Sequence, residues 1–523
     1  MPGKSLVRNF ATVGGATLLS RLLGFVRDVL LAAAVGAGPV ADAFVVAFRL
    51  PNLFRRLFAE GAFNSAFIPL FGRTVEEEGE KGARQFAGEI GSALFFCLLI
   101  LTALAQIFMP FVVWVLAPGF VADPEKFDLT VLMARIAFPY LIFMSLLAFI
   151  GGILNTYHRF AAAAFAPVML NVVMSIVLAG VLIAGVDDNT SLGIILATGV
   201  TIGGIVQLLV VVIDLKRLGF HMPVFRPRYT KSAKRLLALG VPGVIAGGVT
   251  QINIAVGQII ASLQEGANAL LYFADRLYQL PLGVIGIAVG VVLLPSLTRQ
   301  LRSGEVAAYQ HSLNRALEFS LVLTLPAAVA LAVIPHEIVS VLFQRVRFDA
   351  AAVDGTAAAL MAFSFGLPAF VLNKVFSPGY FAREDTKTPM KFAVVAMIVN
   401  VGLSVALFPI FKHVGIALAT TIAGWVNTAL LIVVLWHRGH FTPNLVVLRK
   451  LVLVLIASLL MGVTIHFAAL YLAPYLTDTW LAIRAASLTL LILIGMVTFG
   501  AFAQLSGGAD LVGMTKALTR RNT

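Results

Sequence analysis

The sequence is poor in the residues that build soluble enzymes and disulfide-linked domains. Charged residues make up only 12% of its 523 positions, and there is a single cysteine, Cys97. One cysteine can form neither an internal disulfide nor a cysteine metal cluster, and we expect Cys97 to have a packing role within the third apolar stretch. The eight histidines show no metal-ligand spacing, and no phosphate-binding loop or nucleophile-elbow motif is present. We therefore expect no catalytic residue, no metal and no cofactor.

Apolar residues are what the sequence has in abundance. They make up 60% of the chain, and the mean hydropathy is +0.96, far above that of soluble proteins. A stretch of about 20 apolar residues is long enough to span a bilayer as a helix. Such stretches lie near 8–34, 40–71, 86–116, 129–154, 161–185, 191–215, 237–262, 268–298, 312–343, 354–380, 390–411, 414–436, 450–474 and 480–505. The predicted fold class is an all-α polytopic membrane protein with about 14 transmembrane helices.

The basic balance of the chain fits this topology without a nucleic-acid partner. The net charge is +13, and most of the 38 Lys and Arg residues lie at the two ends or in loops after even-numbered spans. Cytoplasmic loops are enriched in such residues, so both termini are predicted to be cytoplasmic. The longest of these loops, residues 216–235, is strongly basic, and anionic lipid head groups are its expected contact.

A faint internal repeat appears when the chain is aligned with itself at an offset of 226 residues. The matching positions are Ala41, Ala43, Phe44, Ile68, Pro69 and Arg73 against Ala267, Ala269, Leu270, Leu294, Pro295 and Arg299. Chance produces some such matches in so apolar a chain. The repeat nevertheless predicts a six-helix N-lobe (1–218), a basic cytoplasmic linker (219–236), a six-helix C-lobe (237–440) and two extra helices (441–523). Repeats of this kind, with a site at their interface, are common in transporters.

The first two predicted spans carry an unusual number of charges for a membrane protein. These charges are Arg21, Arg27, Asp28, Asp42, Arg49, Arg55, Arg56 and Glu60. Each would cost roughly 2.5–3.5 kcal/mol at the centre of a lone spanning helix. At helical spacing they are segregated from the apolar face, which indicates a polar cavity. Arginine exceeds acid there, and a guanidinium binds phosphate oxygens bidentately, so a phosphate-bearing ligand is expected.

The candidates fall into two groups. The predicted substrate-binding residues are Arg21, Arg27, Asp28, Asp42, Arg55 and Arg276. The second group is Arg49, Arg56, Glu60, Asp275 and Lys374. Structural ion pairs with Asp28, Asp42 and Glu60 are the alternative for Arg21, Arg27 and Arg55. A helix-capping or pairing role next to Asp275 is the alternative for Arg276. Snorkelling to the membrane interface is the alternative for Arg49, Arg56 and Lys374.

Several long motifs carry a family resemblance. The runs SRLLGFVRD (20–28), ADAF (41–44), LPNLFRR (50–56) and FAEGAF (58–63) resemble the start of the MurJ (MviN) lipid II flippases. Similar stretches follow at 135–140, 152–157, 274–278, 294–295 and 378–389. The resemblance covers the twelve spans of the two lobes, whereas the last two spans contain no such motif.

The resemblance implies a fold of the multidrug/oligosaccharidyl-lipid/polysaccharide exporter superfamily in the bacterial cytoplasmic (inner) membrane. It implies that the chain flips lipid II, the undecaprenyl-pyrophosphate-linked disaccharide peptide, to the outer leaflet for peptidoglycan synthesis and is not an enzyme. Residues matching Arg21, Arg27, Arg55, Arg276 and Asp42 would be important in the cavity. The two extra helices would hold the lipid tail, and cell-wall synthesis proteins are candidate partners.

Two other functions stay open at this point. A membrane-embedded transferase acting on lipid-linked sugar would need a catalytic base at the outer face, where the acidic loop residues form no constellation. A drug or cation antiporter on the same fold would favour an acidic cavity, whereas this one is basic. A carboxylate sodium site is not expected in span 390–411, which contains Asn400 and no acid.

Overall fold

The computed structural model describes residues 2–56, 64–223, 248 and 251–509, with the side chains of 2–11, 64–65 and 284–292 left out. Glu60, most of the predicted span 237–262 and the basic loop from residue 224 onward lie outside the described residues. Within the described part of the chain the backbone forms helices and turns and no strands.

The helices follow one another with short connections. In chain order they are α1 (Pro2–Val35), α2 (Pro39–Arg55), α3 (Asn64–Leu116), α4 (Pro124–Ala137), α5 (Tyr140–Thr156), α6 (Ala161–Ala184), α7 (Asn189–Arg217), α8 (Gln251–Ala261), α9 (Ala267–Arg302), α10 (Val306–Val333), α11 (Pro335–Phe343), α12 (Ala350–Ser364), α13 (Leu367–Phe381), α14 (Lys387–His437), α15 (Leu445–Leu476) and α16 (Leu481–Leu505). A short 3₁₀ helix, Pro118–Ala122, precedes α4.

Long apolar helices confirm the predicted fold class. Among the described residues, nine helical stretches are long and apolar enough to cross a membrane. Residues with positive φ bend two of them, α3 at Gly79 and α14 at Lys412, and two others each contain a pair of helices, α4 with α5 and α12 with α13. The bend at Lys412 falls between the predicted spans 390–411 and 414–436.

Three predicted spans contain an interruption of the helix. Span 129–154 is divided into α4 and α5 at Pro139, span 312–343 ends at Val333 before α11, and span 354–380 is divided at Gly366. Proline lacks an amide hydrogen and clashes with the preceding turn, and glycine weakens a helix interior. Hydropathy does not register either effect, and the stretches Pro124–Thr156 and Ala350–Phe381 remain long and apolar enough to cross a membrane despite the interruption.

Contacts group the chain into two compact units. The first contains Met1–Ala269 with Arg345–Arg347, and the second contains Leu270–Gln344 with Phe348–Thr523. In the first unit α1 packs along α6, and α2 packs along α4. In the second unit α10, α15 and α16 share an apolar core that includes Met461 and Leu491. The predicted lobe boundaries describe a sequence repeat, which this grouping does not test, and they stay a prediction.

Several backbone details recur at the offset that the sequence repeat predicts. Asp123 accepts a hydrogen bond from the amide of Lys126, and Asp349 accepts one from the amide of Ala352. His158 and Glu384 both have positive φ, 59° and 60°, in the turns after α5 and α13. These turns have the same hydrogen-bonding pattern at corresponding positions. The backbone therefore supports the internal repeat that the sequence suggested.

The single cysteine does not occupy the buried position that we expected. Cys97 lies on α3 and its side chain is exposed. It stands among exposed apolar side chains, including Phe96 and Ile100, on the outward face of this helix. A small apolar side chain suits a lipid-facing surface as well as a protein core, which explains why composition alone misplaced it.

Candidate functional site

A polar cluster lies where α1 packs against α6. Arg27 donates from Nε and Nη2 to Asp28 Oδ1, at 3.1 and 2.8 Å, and from Nη1 to Asn171 Oδ1 at 3.0 Å. Asn171 in turn donates from Nδ2 to the carbonyl of Ser20 at 2.8 Å. The side chains of Arg27 and Asp28 are 12% and 4% exposed. This arrangement fixes the guanidinium plane within two helices that are otherwise apolar.

The other predicted residues of the first two spans are distributed along α1 and α2. Arg21 is exposed on α1, six residues before Arg27. Arg49 and Arg55 are half-buried on α2, and Arg56, directly after its last residue, is exposed. Arg27 forms an ion pair with Asp28, which is the alternative to substrate binding that the sequence left open for this residue. Roles in substrate binding stay predictions for all five residues.

Asp42 occupies a second polar cluster, formed with Lys126, Gly266 and Ala269. The Asp42 side chain is 0% exposed, and its Oδ2 lies 2.6 Å from Lys126 Nζ. Oδ2 also accepts from the Gly266 amide at 2.8 Å, and Oδ1 accepts from the Ala269 amide at 2.9 Å. These amides lie at the N-terminus of α9, where the helix dipole favours an anion. Both carboxylate oxygens are therefore bound within the protein.

Close backbone contacts surround this Asp42 cluster. Gly36 has φ +64°, and a side chain there would approach the Arg347 carbonyl oxygen to 2.3 Å. Gly119 donates its amide to Ser262 Oγ at 3.1 Å, and an added Cβ would lie 2.1 Å from the Ser262 carbonyl oxygen. Only glycine permits such approaches. Five connecting segments converge here: 36–38, 117–126, 186–187, 262–269 and 345–347.

The predicted residues of the second unit lie on α9 and α13. The Arg276 guanidinium lies 4.7 Å from the ring centre of Tyr272 and donates to its hydroxyl at 3.3 Å. Asp275 accepts a short hydrogen bond from the Gln279 amide nitrogen. Lys374 is exposed on α13. Their assignment to the substrate site stays a prediction.

Two important residues, Lys126 and Asn171, were missed by the sequence reasoning. They have no motif of their own and their partners are distant in the chain, whereas Ser20 was included only as the first residue of the run SRLLGFVRD. Lys126 lies 84 residues from Asp42, and Asn171 lies 144 residues from Arg27. One local signal was available for Lys126. A lysine in the first turn of a helix opposes the helix dipole, so a compensating anion could have been sought.

Known proteins place this chain in a family. The sequence model of lipid II flippase MurJ matches residues 31–486. A probable lipid II flippase MurJ of Rhizobium tropici is 48% identical over 519 residues, which cover 99% of this chain and 97% of that protein. The chain belongs to the MurJ family. The lipid II flippase MurJ of Burkholderia cenocepacia is 35% identical, over 89% of this chain and 90% of that protein.

Solved structures agree with the MurJ assignment. A lipid II flippase MurJ in an inward closed conformation matches with a TM-score of 0.77 at 26% identity, covering 94% of this chain and 98% of that one. An inward-facing multidrug transporter of the MOP superfamily matches with a TM-score of 0.65 at 17% identity, over 80% of this chain. The second likeness shows the shared fold alone.

Proposed function

We propose that this protein flips lipid II from the inner to the outer leaflet of the bacterial cytoplasmic membrane by alternating access. The main support is membership of the MurJ family, whose sequence model matches residues 31–486. Relatives of that name align with this chain over 90% or more of their own length. The same membership disfavours the transferase and antiporter alternatives. No enzymatic step is needed, because the lipid leaves the protein chemically unchanged.

In this proposal the pyrophosphate is bound by arginines, namely Arg21, Arg27, Arg55 and Arg276. Arg27 supports this role best, since Asp28 and Asn171 hold its guanidinium in one plane before any ligand arrives. Preorganised charge lowers the cost of taking a phosphate out of water. A neighbouring Arg21 that is exposed adds a second cation on the same helix.

The Asp42 cluster closes the outer face in this proposal. With both termini in the cytoplasm, the five segments around Asp42 are the outer loops of their spans. Release of the head group to the outside requires Asp42 to separate from the Gly266 and Ala269 amides. The head group then moves through a site that is exposed to one side at a time, so its charges never enter hydrocarbon.

The remaining partners follow from charge and apolarity. Helices α15 and α16 present exposed apolar side chains, among them Phe467 and Val497, which suit a long lipid tail. Exposed Lys216 and Arg217 at the end of α7 support contact with anionic lipid. Cell-wall synthesis proteins stay candidate partners.

The direct test is lipid II translocation in vesicles that contain the purified protein. Lipid II is placed in one leaflet, and its appearance in the other is followed with a head-group reagent. Arg27→Ala should reduce the translocation rate by about a hundredfold, a loss of about 2.7 kcal/mol, because a buried charged hydrogen-bond donor is removed. Arg27→Lys should recover little, since an ammonium cannot replace the fork.

Arg73→Ala is the matched control. Arg73 is 57% exposed and pairs with Glu77 one turn along α3, so its loss should leave the rate unchanged. Wild-type protein that fails to accelerate translocation over empty vesicles would refute the proposed function. Full activity of Arg27→Ala would refute only the arginine site.

A further inference from the structure

Lys126 is a buried lysine in a helix whose start disfavours it. It lies in the first turn of α4, is 6% exposed, and its Nζ is 4.2 Å from the ring centre of Phe120. Burying an ammonium costs several kcal/mol unless it is paired. The compensating group is Asp42, at 2.6 Å on the neighbouring α2. The Asp42 carboxylate forms an ion pair with Lys126 and accepts hydrogen bonds from the backbone amides of Gly266 and Ala269.

The internal repeat shows whether the start of this helix needs a charged residue at the position of Lys126. The corresponding position in the second repeat is Ala352, whose amide is capped by Asp349 just as Asp123 caps Lys126. The position corresponding to Asp42 is Asn268. Both charges are therefore present in one repeat and absent from the other, while the cap is kept. The helix start does not need the lysine, and the two charges behave as a pair.

We propose that Lys126 is a positioning residue for closure of the outer face, keeping the Asp42 carboxylate ionised and directed at the amides of Gly266 and Ala269. This inference rests on the proposed alternating-access function. When the outer face opens, the two amide bonds break. The bond between Lys126 and Asp42 is kept, because both residues belong to the same repeat and their helices pack together.

The physical reason is the complete burial of Asp42. A fully buried carboxylate without a nearby cation takes up a proton, because burial disfavours its charged form. A protonated acid has an oxygen that carries hydrogen, and its bonds to backbone amides are about half as strong as those of the ion. Loss of Lys126 therefore weakens closure through Asp42, without changing a single residue of the segment 262–269.

The test measures how often the outer face opens. Ser262 is 4% exposed and lies in the closed contact, so Ser262→Cys in a Cys97→Ser background places a thiol that reacts from outside only on opening. A membrane-impermeant maleimide is added to the outside of oriented membrane vesicles. Thr479→Cys, on the exposed segment between α15 and α16, controls for reagent and orientation.

Lys126→Met should raise the labelling rate at position 262 by about tenfold, and Lys126→Arg by less than about threefold, since arginine keeps the charge. Asp42→Asn should also raise it, and adding Lys126→Met to Asp42→Asn should raise it no further. The Thr479→Cys rate should not change in any of these variants. If Lys126→Met is not recovered in the membrane, the double variant Asp42→Asn with Lys126→Ala is compared with Asp42→Asn alone. This double variant has the residues of the second repeat at both positions, and the two labelling rates should be equal.

Two results would overturn the inference. One is an unchanged labelling rate in Lys126→Met. The other is the same increase with and without Asp42→Asn, which would make Lys126 a packing residue that does not act through the carboxylate. Because labelling needs no lipid II, failure of the flippase proposal leaves this test intact. A protein that shows the coupling but does not move lipid II would refute the proposed function alone.

Discussion

The two halves of the predicted repeat share backbone details but differ in their electrostatics. Asp123 and Asp349 cap α4 and α12 in the same way, and proline or glycine divides the span after each cap. In the first repeat this framework holds a buried ion pair, whereas neutral residues replace both partners in the second. Features that set the path of the chain have been kept in both copies. The buried charges, which cost desolvation energy, are present only in one.

The turns after α5 and α13 show a different outcome. Arg159 pairs with Asp214 at 2.9 Å in the first repeat, and Arg438 pairs with Asp385 at 2.8 Å in the second. The pair is kept but its polarity is reversed, since the turn after α5 contributes the cation and the turn after α13 contributes the anion. Both pairs are partly exposed, so water helps to solvate either arrangement.

The largest effect should come from filling the closest backbone contact of the first repeat. Gly119 corresponds to Arg345 in the second repeat, yet it lies against the Ser262 backbone. Gly119→Ala places a Cβ 2.1 Å from a carbonyl oxygen that cannot rotate away. Overpacking of this kind costs roughly 1–3 kcal/mol, so labelling of a Ser262→Cys thiol from outside should rise at least about tenfold.

Gly38→Ala is the control for that substitution. Gly38 lies in the segment between α1 and α2, has φ −84°, and an added Cβ meets nothing within 4 Å. Its labelling and lipid II translocation should equal those of the parent. Normal labelling of Gly119→Ala would show that the contact of Gly119 with Ser262 is not part of the closed outer face.

Local patterns were enough to predict the helices and the repeat. Apolar length gave the spans, glycine and proline marked the turn between α1 and α2, and the offset of the sequence repeat recurs in caps and positive φ angles. The breaks at Pro139 and Gly366 were also written in the sequence. They were overlooked because a hydropathy window averages across single residues.

The candidate site was predictable only in part, because its partners are chosen by packing. The charges of α1 and α2 were identified from their cost in a membrane. Their neighbours were not, since Asn171 and Lys126 meet them across long chain separations. Asp42 was expected to face substrate, and periodicity could not reveal that backbone amides of another segment would bind both its oxygens. Its role toward substrate stays a prediction.

The two helix caps offer a sharper comparison of the repeats. Asp123→Ala and Asp349→Ala each remove one side-chain cap, so each should lower the free energy of unfolding by roughly 1 kcal/mol. Of the two variants, Asp123→Ala alone should also raise outside labelling of a Ser262→Cys thiol, because α4 carries a lysine in its first turn and α12 does not. Thermal unfolding in detergent gives the first quantity and maleimide labelling the second. Equal labelling in both variants would mean that the first turn of α4 does not transmit to Asp42.

The smallest effect concerns the reversed pairs at the turns after α5 and α13. Asp385 accepts from the Thr388 amide at 3.0 Å and pairs with Arg438. Hydrogen bonding with the Thr388 side chain, with help from Arg438 and the Thr388 amide, lowers the pKa of Asp385 to about 2. A lowered folded-state pKa contributes stability above the ordinary value of 3.8 and loses it as pH falls toward 2. Asp385→Asn should therefore cost on the order of 1 kcal/mol at neutral pH, after allowance for solvent screening, and nothing near pH 2.

Exchanging the two charges tests whether polarity or geometry matters at this turn. Asp385→Arg with Arg438→Asp would recreate the order of the first repeat, where Arg159 is the turn residue. We expect less than about half of the lost stability to return, because arginine restores the pair but cannot accept the Thr388 amide bond that starts α14. Unfolding midpoints at neutral pH measure the recovery, with Asp214→Asn as the equivalent loss in the first repeat. Full recovery would show that the pair alone, without the cap, accounts for the contribution of Asp385.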